Sequence, residues 1–596
     1  MTRFLNYCNS FVFPILISLV AVSACSQATD EEASATAITQ NVADVILHNG
    51  RIFSFSWGEP GADGVPAVDA PYTDGQWIPD GQAVAIKDGN VLLVGSDDQV
   101  MQLRGRDTEL LDANGGYVYP GFVDAHSHIR GLVNDDEYIS ITGAANEADA
   151  IELIIAGTRD RILEPGQWIL GGGWDEGEWM NQLPTEKRLS ELFPNNPVMM
   201  SGETGFGVWG NRAALSAAGF DRNTEDPVKG QFTRYEDGEL SGVALDNAGR
   251  AWRAILPSET VDQRKATMIK AMNILASDGF TMTHDAGTGS LSMSAFEALD
   301  AEKNMPIRIY AMVDRADAQL VDEWTARGPR TYPGNMLFVR SMKSGLDGTL
   351  GVRSARFLEE YSDMPGHSGL DENWTSQLGQ MDQMIQAGFQ INTHAIGDKA
   401  NRDILDFLER NFAVNPELKA LRHRSEHASV IHPDDYERFA ELNVIASVQP
   451  PYVAEDPPWA VDRIGEERAK DMYAWRKMRR YGIHLVFGSD LESYDHNIFY
   501  GIYAAISRAS KDGSPENGFM PGEALTSEEA IRGYTGWAAY SALLENEVGQ
   551  LAAGYWADIT VVDEDLLNTG TADPISLLDS EVLMTIVGGK LVYARN

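Results

Sequence analysis

The chain has 596 residues and carries 88 acidic against 47 basic side chains, which gives a formal net charge of −41 at pH 7. Such a negative field repels nucleic acid and anionic membrane surfaces, so no nucleic-acid partner is expected and the charge favours solubility. A chain of this length buries a large core without disulfide bonds, and it contains only two cysteines.

Residues 1–24 are predicted to be a signal peptide. The apolar stretch from Phe11 to Val22 is too short for a permanent membrane span and is typical of the central part of such a peptide. The residues 22–26, Val-Ser-Ala-Cys-Ser, resemble a bacterial lipobox, which predicts cleavage before Cys25 and a lipid on that cysteine; ordinary cleavage after Ala24 is the alternative. We therefore expect an exported protein of the periplasm or cell envelope, held at the membrane only through Cys25.

The mature body then lacks a cysteine that could act in the fold or in catalysis, because Cys8 lies in the removed segment. This excludes a disulfide framework, a catalytic thiol and cysteine metal ligands. Residues 25–42 are rich in Ala, Thr, Ser and Glu and are predicted to be a flexible tether.

The two ends of the body, residues 43–117 and 541–596, are predicted to form one β-sandwich. Residues 44–53 and 84–95 each show a strand, a turn and a second strand, and Asp88-Gly89 is a hairpin turn signal. Residues 557–562 and 582–593 show a similar β pattern near the other end. Strands at both ends must bury one face, so we expect them to pair.

The first predicted barrel strand, Val118–Asp124, ends in Ala125-His126-Ser127-His128. In an extended chain, residues i and i+2 point the same way. His126 and His128 can therefore face one ion, and imidazole suits zinc and its neighbours. A single His-x-His pair is more often a surface feature, so it carries little weight alone.

A long insert, residues 147–256, separates the first two predicted barrel strands. It follows the strand with His126 and His128, so we expect it over the metal as a lid or a substrate-binding element. Gly171-Gly172-Gly173 lacks the lysine and spacing of a phosphate loop and is interpreted as a tight turn. Trp174 and Trp209 are predicted substrate contacts, although Trp174 could instead face the core of the insert.

Seven more apolar runs follow as strand candidates, and several are separated by helical patterns. They are Phe280–His284, Ile307–Val313, Phe338–Lys343, Phe389–His394, His423–His427, Val444–Gln449 and His484–Gly488. Residues 398–412 show the spacing of a core-packing helix, and Pro433 is predicted to begin another. Eight strands alternating with helices predict an α/β fold, a (β/α)8 TIM barrel over residues 118–540.

Six polar residues lie at or just beyond the downstream ends of strands one, four, five, six and eight. They are His126, His128, Lys343, His394, His427 and Asp490. Active sites of TIM barrels are built from residues at the C-terminal ends of several strands. Their order and context therefore predict a site for a divalent metal, with zinc expected.

Several motifs together make the chain resemble the amidohydrolase superfamily, and within it amidohydrolase family 3. This family includes N-substituted formamide deformylases and is related to D-aminoacylases. The motifs are Pro120-Gly121-Phe122-Val123-Asp124-Ala125-His126-Ser127-His128, Lys343 with Asp347-Gly348, His394-Ala395-Ile396-Gly397-Asp398, Arg422-His423-Arg424-Ser425-Glu426-His427, Gln449-Pro450, Gly488-Ser489-Asp490, and Gly549-Gln550-Leu551 continuing to Gly554 and Ala557-Asp558. The resemblance covers nearly everything after the tether and implies a metal-bearing barrel with a composite β-sandwich.

The resemblance also implies one or two metals per chain. His126 and His128 would hold one metal, and His394 and His427 a second. Lys343 matches a position that bridges two metals in relatives when it is carbamylated. A plain ammonium has no lone pair for a metal, so the alternative for Lys343 is a charge partner to Asp347 or to the substrate.

Asp490 is expected to bind metal and to act as the general base. The metal would lower the pKa of a bound water from about 15.7 to about 7, and the resulting hydroxide would attack an amide carbonyl. Asp490 would take the proton and return it to the leaving nitrogen. Asp124 and Glu426 could orient ligand imidazoles, although a structural hydrogen bond is the expected role of both. His284 is expected to be structural or to lie behind the ligands.

Two positions depart from the family pattern and bear on substrate. Phe206 lies where many relatives have a histidine, which predicts a more apolar pocket, and Glu492 replaces a proline and would add charge near the metal.

The predicted function is hydrolysis of a non-peptide carbon–nitrogen bond in a small molecule. Hydrolysis of an ester or lactone is the alternative within enzymes, and a ligand-binding lipoprotein without turnover is the alternative outside them. The sequence leaves open whether the protein forms a homodimer.

Overall fold

The computed structural model describes residues 42–133, 138–159, 161–174, 179, 183–202, 207–228, 230–256, 259–370, 375–491 and 494–595. The predicted signal peptide, Cys25, all but the last residue of the tether, Phe206 and Glu492 lie outside the described residues. No helix among the residues described is both long and apolar enough to cross a membrane.

The N-terminal segment consists mainly of short strands. Its elements in chain order are β1 (Ala43–His48), β2 (Arg51–Ile52), β3 (Tyr72–Thr73), β4 (Gln76–Trp77), β5 (Ala83–Lys87), β6 (Asn90–Gly95), helix α1 (Asp97–Met101), β7 (Arg104–Asp112) and β8 (Tyr117–Pro120). Strands β6, β5, β1 and β7 form a four-stranded sheet in that order, and β3 pairs only with β4. The predicted hairpin at Asp88-Gly89 is the β5–β6 turn, with Lys87 paired to Asn90.

The first barrel strand is β9 (Phe122–Ser127), and it is separate from β8. The single predicted strand Val118–Asp124 was therefore wrong, because its first half pairs with the sandwich and its second half with the barrel. Gly121 lies between the two strands. A Cβ atom there would be 2.8 Å from Thr281 Cβ, so only glycine lets the chain pass this close to its neighbour.

The insert forms its own sheet between β9 and the second barrel strand. Its elements are β10 (Ile139–Ser140), α2 (Glu147–Thr158), β11 (Ile169–Trp174), α3 (Glu186–Leu192), β12 (Val198–Gly202), β13 (Gly207–Gly210), α4 (Arg212–Ala217), β14 (Gly230–Arg234), β15 (Leu240–Asp246) and α5 (Asn247–Arg253). The sheet order is β10-β11-β12-β13-β15-β14.

The glycine triplet 171–173 lies within strand β11, so its interpretation as a tight turn was wrong. Added Cβ atoms would lie 2.6 Å from Met200 Sδ at Gly171 and 2.7 Å from the Ser201 carbonyl at Gly172. Gly171 and Gly172 therefore permit close packing against β12, which sequence spacing alone does not reveal.

The remaining barrel elements follow in chain order. They are α6 (Val261–Ser277), β16 (Phe280–Thr288), α7 (Ser290–Ala301), β17 (Arg308–Asp314), α8 (Ala318–Arg327), β18 (Arg330–Thr331), β19 (Leu337–Gly345), α9 (Thr375–Gln386), β20 (Gln390–Ala395), α10 (Asp398–Val414), β21 (Arg424–His427), α11 (Tyr436–Glu441), β22 (Ile445–Val448), α12 (Pro450–Glu455), α13 (Pro457–Ala469), α14 (Trp475–Tyr481), β23 (Leu485–Phe487), α15 (Ile498–Ser507), α16 (Ser527–Gly533) and α17 (Gly536–Ser541). Short 3-10 turns cover Ile129–Leu132, Pro416–Leu421, Pro433–Asp435, Pro521–Glu523 and Pro574–Asp579.

Eight parallel strands form the barrel in the order β9-β16-β17-β19-β20-β21-β22-β23. This confirms the predicted fold class. The helix predicted over residues 398–412 is α10, and the Pro433 turn leads into α11 as predicted. On β17, Ile309 packs in the helix-facing core, whereas Tyr310 shares an inner cluster with residues of β9 and β23 such as Val123 and Val486. Alternate residues thus line the two faces of each strand.

The C-terminal segment completes the sandwich. It contains β24 (Ile559–Val562), α18 (Leu566–Ala572), β25 (Val582–Val587) and β26 (Lys590–Ala594). Strands β2, β8, β24, β25 and β26 form one sheet in that order, so both chain ends contribute to it. Its buried side chains, such as Val118 and Ile559, pack with Val45 and Ile86 of the four-stranded sheet. The predicted composite β-sandwich is confirmed.

The barrel closes where β9 meets the chain just after β23. The Asp490 N–H donates to the His126 carbonyl at 2.8 Å, and the His128 N–H donates to the Leu491 carbonyl at 3.2 Å. Gly488 lies at the same place, and a Cβ there would be 2.7 Å from His126 Cβ and 2.9 Å from its Cα. The closure therefore places the predicted ligands of strands one and eight side by side.

Gly488→Ala is expected to destabilise the protein by about 1–3 kcal/mol, because the added methyl meets backbone that cannot move aside. Urea unfolding followed by far-UV circular dichroism measures this. Gly379→Ala is the matched control: Gly379 is an exposed residue inside α9 with nothing near its Cβ position. That variant should be about 0.5–1 kcal/mol more stable than the wild type. Equal stability of both variants would contradict the close approach at Gly488.

Candidate metal centre at the C-terminal end of the barrel

The structure brings all six predicted ligand residues to one end of the barrel. Donor atoms of His126, His427 and Asp490 all lie within 4.8 Å of one another. His128 Nε2 is 3.2 Å from Asp490 Oδ1, and the His394 ring centroid is 4.4 Å from that of His427. The ammonium of Lys343 lies 2.8 Å from His126 Nε2.

The six side chains lie at different depths. His126 is fully buried, whereas the side chains of His394 and His128 are 21% and 36% exposed. The cluster is therefore closed at His126 and partly exposed at His128 and His394.

His126 is oriented by a carboxylate behind it. Its Nδ1 lies 2.5 Å from Glu426 Oε2, and a carboxylate in this position accepts the Nδ1 proton. The Nε2 lone pair then faces the cluster, which is where Lys343 donates to it. Glu426 therefore orients a ligand imidazole, which was the less expected of the two roles considered for it.

The Glu426 carboxylate is held by a buried arginine. Arg424 Nε is 2.7 Å from Glu426 Oε1, and both side chains are fully buried. Arg424 also donates to the Ala125 carbonyl at 2.7 Å and lies 3.0 Å from His284 Nδ1. His284 is thus buried behind the ligands, in the place expected for it.

His427 is oriented by an amide. Its Nδ1 lies 2.8 Å from Gln449 Oε1. Because an amide oxygen can only accept, the Nδ1–H group donates this hydrogen bond, and the lone pair of Nε2 is left for a metal. His427 and Asp490 have φ angles of 74° and 55°, a left-handed conformation that is costly for residues other than glycine. Such backbone strain is typical of functional sites.

The loop after β19 supports His394. His394 Nε2 lies 3.2 Å from the Gly348 carbonyl and 3.5 Å from Asp347 Oδ1. Asp347 accepts the N–H groups of Ile396 at 3.0 Å and Gly397 at 2.8 Å, rather than pairing with Lys343. Burial raises the pKa of Asp347 to about 7 despite these hydrogen bonds.

The charge states of the cluster suit a metal. Burial lowers the pKa of His126 to about 4 and that of His427 to about 3, so both imidazoles are neutral at pH 7. Burial also lowers the pKa of Lys343. For Asp490, burial raises the pKa, but His126, His128, His427 and Lys343 outweigh it and hold the pKa well below the usual range. Neutral imidazoles around a carboxylate anion are the donor set that a divalent metal requires, so the residues fit such an ion.

Asp124 has the expected structural role. It accepts hydrogen bonds from the Ser489 N–H at 3.0 Å, the Ser489 hydroxyl at 2.5 Å and the His126 N–H at 3.1 Å. It thereby ties the end of β9 to the segment that carries Asp490. Burial raises its pKa to about 6.

The structure corrects the predicted substrate contact of Trp209 and decides for Trp174 the alternative left open, a place in the core of the insert. Trp174 and Trp209 are fully buried in the insert's own core. The Trp174 indole donates to the Met200 carbonyl at 3.2 Å, and the Trp209 indole donates to the Thr185 carbonyl at 2.9 Å. The core of a six-stranded sheet needs large apolar side chains, and this outweighs a role at the barrel mouth. The position of the insert over the metal stays a prediction.

Sequence reasoning missed Tyr452, and it named Arg424 and Gln449 only as parts of motifs, without a role in the site. The Tyr452 hydroxyl donates to Asp490 Oδ2. Gln449 and Tyr452 directly follow β22, and a strand end with polar residues but no predicted ligand was the available signal. Arg424 lies within a predicted strand, but its partners come from other strands.

A cluster of histidines and an aspartate that suits a divalent metal, at the C-terminal end of a (β/α)8 barrel, is the arrangement of a metal-dependent hydrolase. The sequence profile of the amidohydrolase family matches residues 109–593. The chain belongs to this family, and within it to amidohydrolase family 3.

Relatives of known name span nearly the whole chain. Protein LONG AFTER FAR-RED 3 of Arabidopsis thaliana is 30% identical over 566 residues, covering 93% of this chain and 92% of its own. N-substituted formamide deformylase of Arthrobacter pascens is 26% identical over 536 residues, covering 86% and 95%. An uncharacterized metal-dependent hydrolase of Pyrococcus horikoshii has a solved structure that matches with a TM-score of 0.68 and 25% identity, covering 88% of this chain and 98% of that one.

Proposed function

We propose that this amidohydrolase hydrolyses a non-peptide carbon–nitrogen bond, an amide, in a small molecule. The observation that carries the proposal is the convergence of His126, His427 and Asp490 donor atoms within 4.8 Å at the C-terminal end of the barrel. A binding module has no need of a buried base between oriented imidazoles. N-formyl or N-acyl amines, N-acyl amino acids and cyclic amides are the proposed substrates, supported by likeness to a relative named as a formamide deformylase.

His126, His128 and Asp490 would hold one metal, and His394 and His427 a second, with zinc proposed from the nitrogen and oxygen donors. When bound, the metal supplies a water of lowered pKa and polarises the scissile carbonyl. Glu426 and Gln449 keep the two Nε2 atoms turned toward the centre. The carboxylate of Asp490 takes a proton from the attacking water at one oxygen and returns it to the leaving nitrogen.

Lys343 is proposed to be carbamylated when two metals are bound. A protonated amine 2.8 Å from His126 Nε2 repels a cation, whereas a carbamate is an anion with two oxygen ligands. Burial lowers the pKa of Lys343, which favours the free amine. The amine lone pair attacks the carbon of carbon dioxide, so that an N–C bond forms while one C=O π bond breaks and its electron pair moves to oxygen; the nitrogen then loses a proton to solvent.

Metal removal tests the proposal. Purified protein stripped with a chelator should lose turnover of an N-formyl or N-acyl amine panel and recover it with one or two equivalents of Zn²⁺. Zinc at 100 times its Kd should also stabilise the fold by about 2.7 kcal/mol, measured by thermal unfolding. Reloading with and without bicarbonate checks Lys343: two equivalents only with bicarbonate are expected.

Three other outcomes are informative. Faster turnover of a matched ester or lactone panel would favour an esterase with the same residues. Metal uptake without any turnover would leave a ligand-binding protein. No metal uptake and no turnover after supplementation would refute the hydrolase altogether.

A further inference from the structure

Strand β22 provides no predicted metal ligand, yet its downstream end touches the ligands of both neighbouring strands. Gln449 reaches His427 of β21, and Tyr452 reaches Asp490 beyond β23. The N–H of Tyr452 donates to the Gln449 carbonyl at 3.1 Å, so one short turn fixes both side chains. This turn is the start of α12 and contains Pro450 and Pro451, which restrict its backbone.

The two oxygens of Asp490 have different partners. Oδ1 lies 3.4 Å from His126 Nε2 and 3.2 Å from His128 Nε2, on the side of the metal-ligand nitrogens. Oδ2 accepts a hydrogen bond from the Tyr452 hydroxyl. A carboxylate with one oxygen held by a donor cannot rotate freely, so Oδ1 stays directed at the metal position.

The Tyr452 ring contacts two other rings. Its plane lies 7° from that of His427, with centroids 5.8 Å apart, and its centroid is 4.2 Å from that of Tyr494. The Tyr494 hydroxyl donates to Asp456 Oδ1 at 2.7 Å, and the Tyr473 hydroxyl donates to Asp456 Oδ2 at 2.6 Å. Tyr452 therefore has a single supported orientation, with its hydroxyl on Asp490.

We propose that Tyr452 is the positioning residue of Asp490: its hydroxyl holds Oδ2 and thereby reserves Oδ1 for the metal. This inference rests on the proposed metal-dependent function. In this role Tyr452 acts through Asp490, whose carboxylate its hydroxyl contacts. Loss of such a supporting hydrogen bond typically lowers metal affinity or activity by about 10–100-fold.

The test uses Tyr452→Phe in the full-length protein, a substitution that keeps the ring packing and removes only the hydroxyl. Metal affinity is measured by letting the protein compete with a coloured chelator for Zn²⁺. The Co²⁺ form of the protein is examined by visible absorption. We expect Zn²⁺ affinity about 10-fold weaker, a changed Co²⁺ spectrum and a kcat about 10–100-fold lower at unchanged KM. Tyr500→Phe is the matched control, because its hydroxyl donates at 3.0 Å to the exposed Glu455 instead of Asp490.

A double variant separates positioning from packing. In the Asp490→Ala background, Tyr452→Phe should cause less than a twofold further change in Zn²⁺ affinity, because no side-chain acceptor for the Tyr452 hydroxyl remains at position 490. Equal losses of affinity in both backgrounds would overturn the inference, as would a Tyr452→Phe protein with wild-type affinity and spectrum. Wild-type protein that binds Zn²⁺ but hydrolyses nothing would refute the proposed function, while the affinity cycle would still decide the role of Tyr452.

Discussion

Asp490→Asn is expected to abolish turnover, with kcat reduced by at least about 10³-fold, while the protein stays folded and retains metal. An amide has nearly the shape of a carboxylate but cannot take a proton from the attacking water. Asp490 is the carboxylate that His126, His128 and Lys343 surround, and these groups hold its pKa well below the usual range despite burial. Steady-state kinetics on the amide panel, with metal content per chain, measures both parts.

The control for this variant is Asp456→Asn. Asp456 is a buried carboxylate in the same part of the barrel, but within the described part of the chain its oxygens accept from the hydroxyls of Tyr473 and Tyr494. An amide oxygen can still accept one of these bonds, so most activity should remain. Turnover by Asp490→Asn within tenfold of wild type would show that another group is the base.

Arg424→Met is expected to destabilise the fold by about 3–5 kcal/mol, because it leaves the Glu426 carboxylate charged and unpaired in the interior. Both side chains are fully buried, and Arg424 Nε lies 2.7 Å from Glu426 Oε1. The substitution also removes hydrogen bonds to the Ala125 carbonyl and the Ser447 hydroxyl. Urea unfolding with a comparison of midpoints and slopes measures the change.

The pair Arg424→Met and Glu426→Gln isolates the charge contribution. Glutamine keeps an oxygen that can accept the His126 Nδ1 proton, so the double variant should be more stable than Arg424→Met alone. If the double variant were less stable than the arginine single variant, the unpaired carboxylate would not be the cause of the loss.

The barrel was predictable because parallel strands that are covered on both faces consist of short, nearly continuous runs of apolar residues. The last seven predicted strands each coincide with an observed strand, and α10 follows the predicted spacing. The first strand was misplaced because Tyr117–Pro120 and Phe122–Ser127 are both apolar, and only their pairing partners divide them. Likewise, the glycine triplet of β11 has the composition of a turn but packs against β12.

The convergence of the six predicted ligand residues was predictable because each is a chemically distinctive residue at a strand end, where barrel geometry brings such ends together. His126, His128, Lys343, His394, His427 and Asp490 needed no knowledge of their neighbours. The lipid anchor on Cys25 and the roles of Phe206 and Glu492 stay predictions.

By itself, the sequence determined the fold class, the family and the residues that converge on the metal position, because local patterns and motifs carry this information. Only the tertiary structure decided which groups orient those residues. Glu426 holds His126 across 300 positions of chain, and Tyr452 reaches Asp490 across 38. It also moved Trp174 and Trp209 from the substrate to the core of the insert. Hydrogen bonds and packing between strands depend on which residues become neighbours in space, and this is set only when the whole barrel closes.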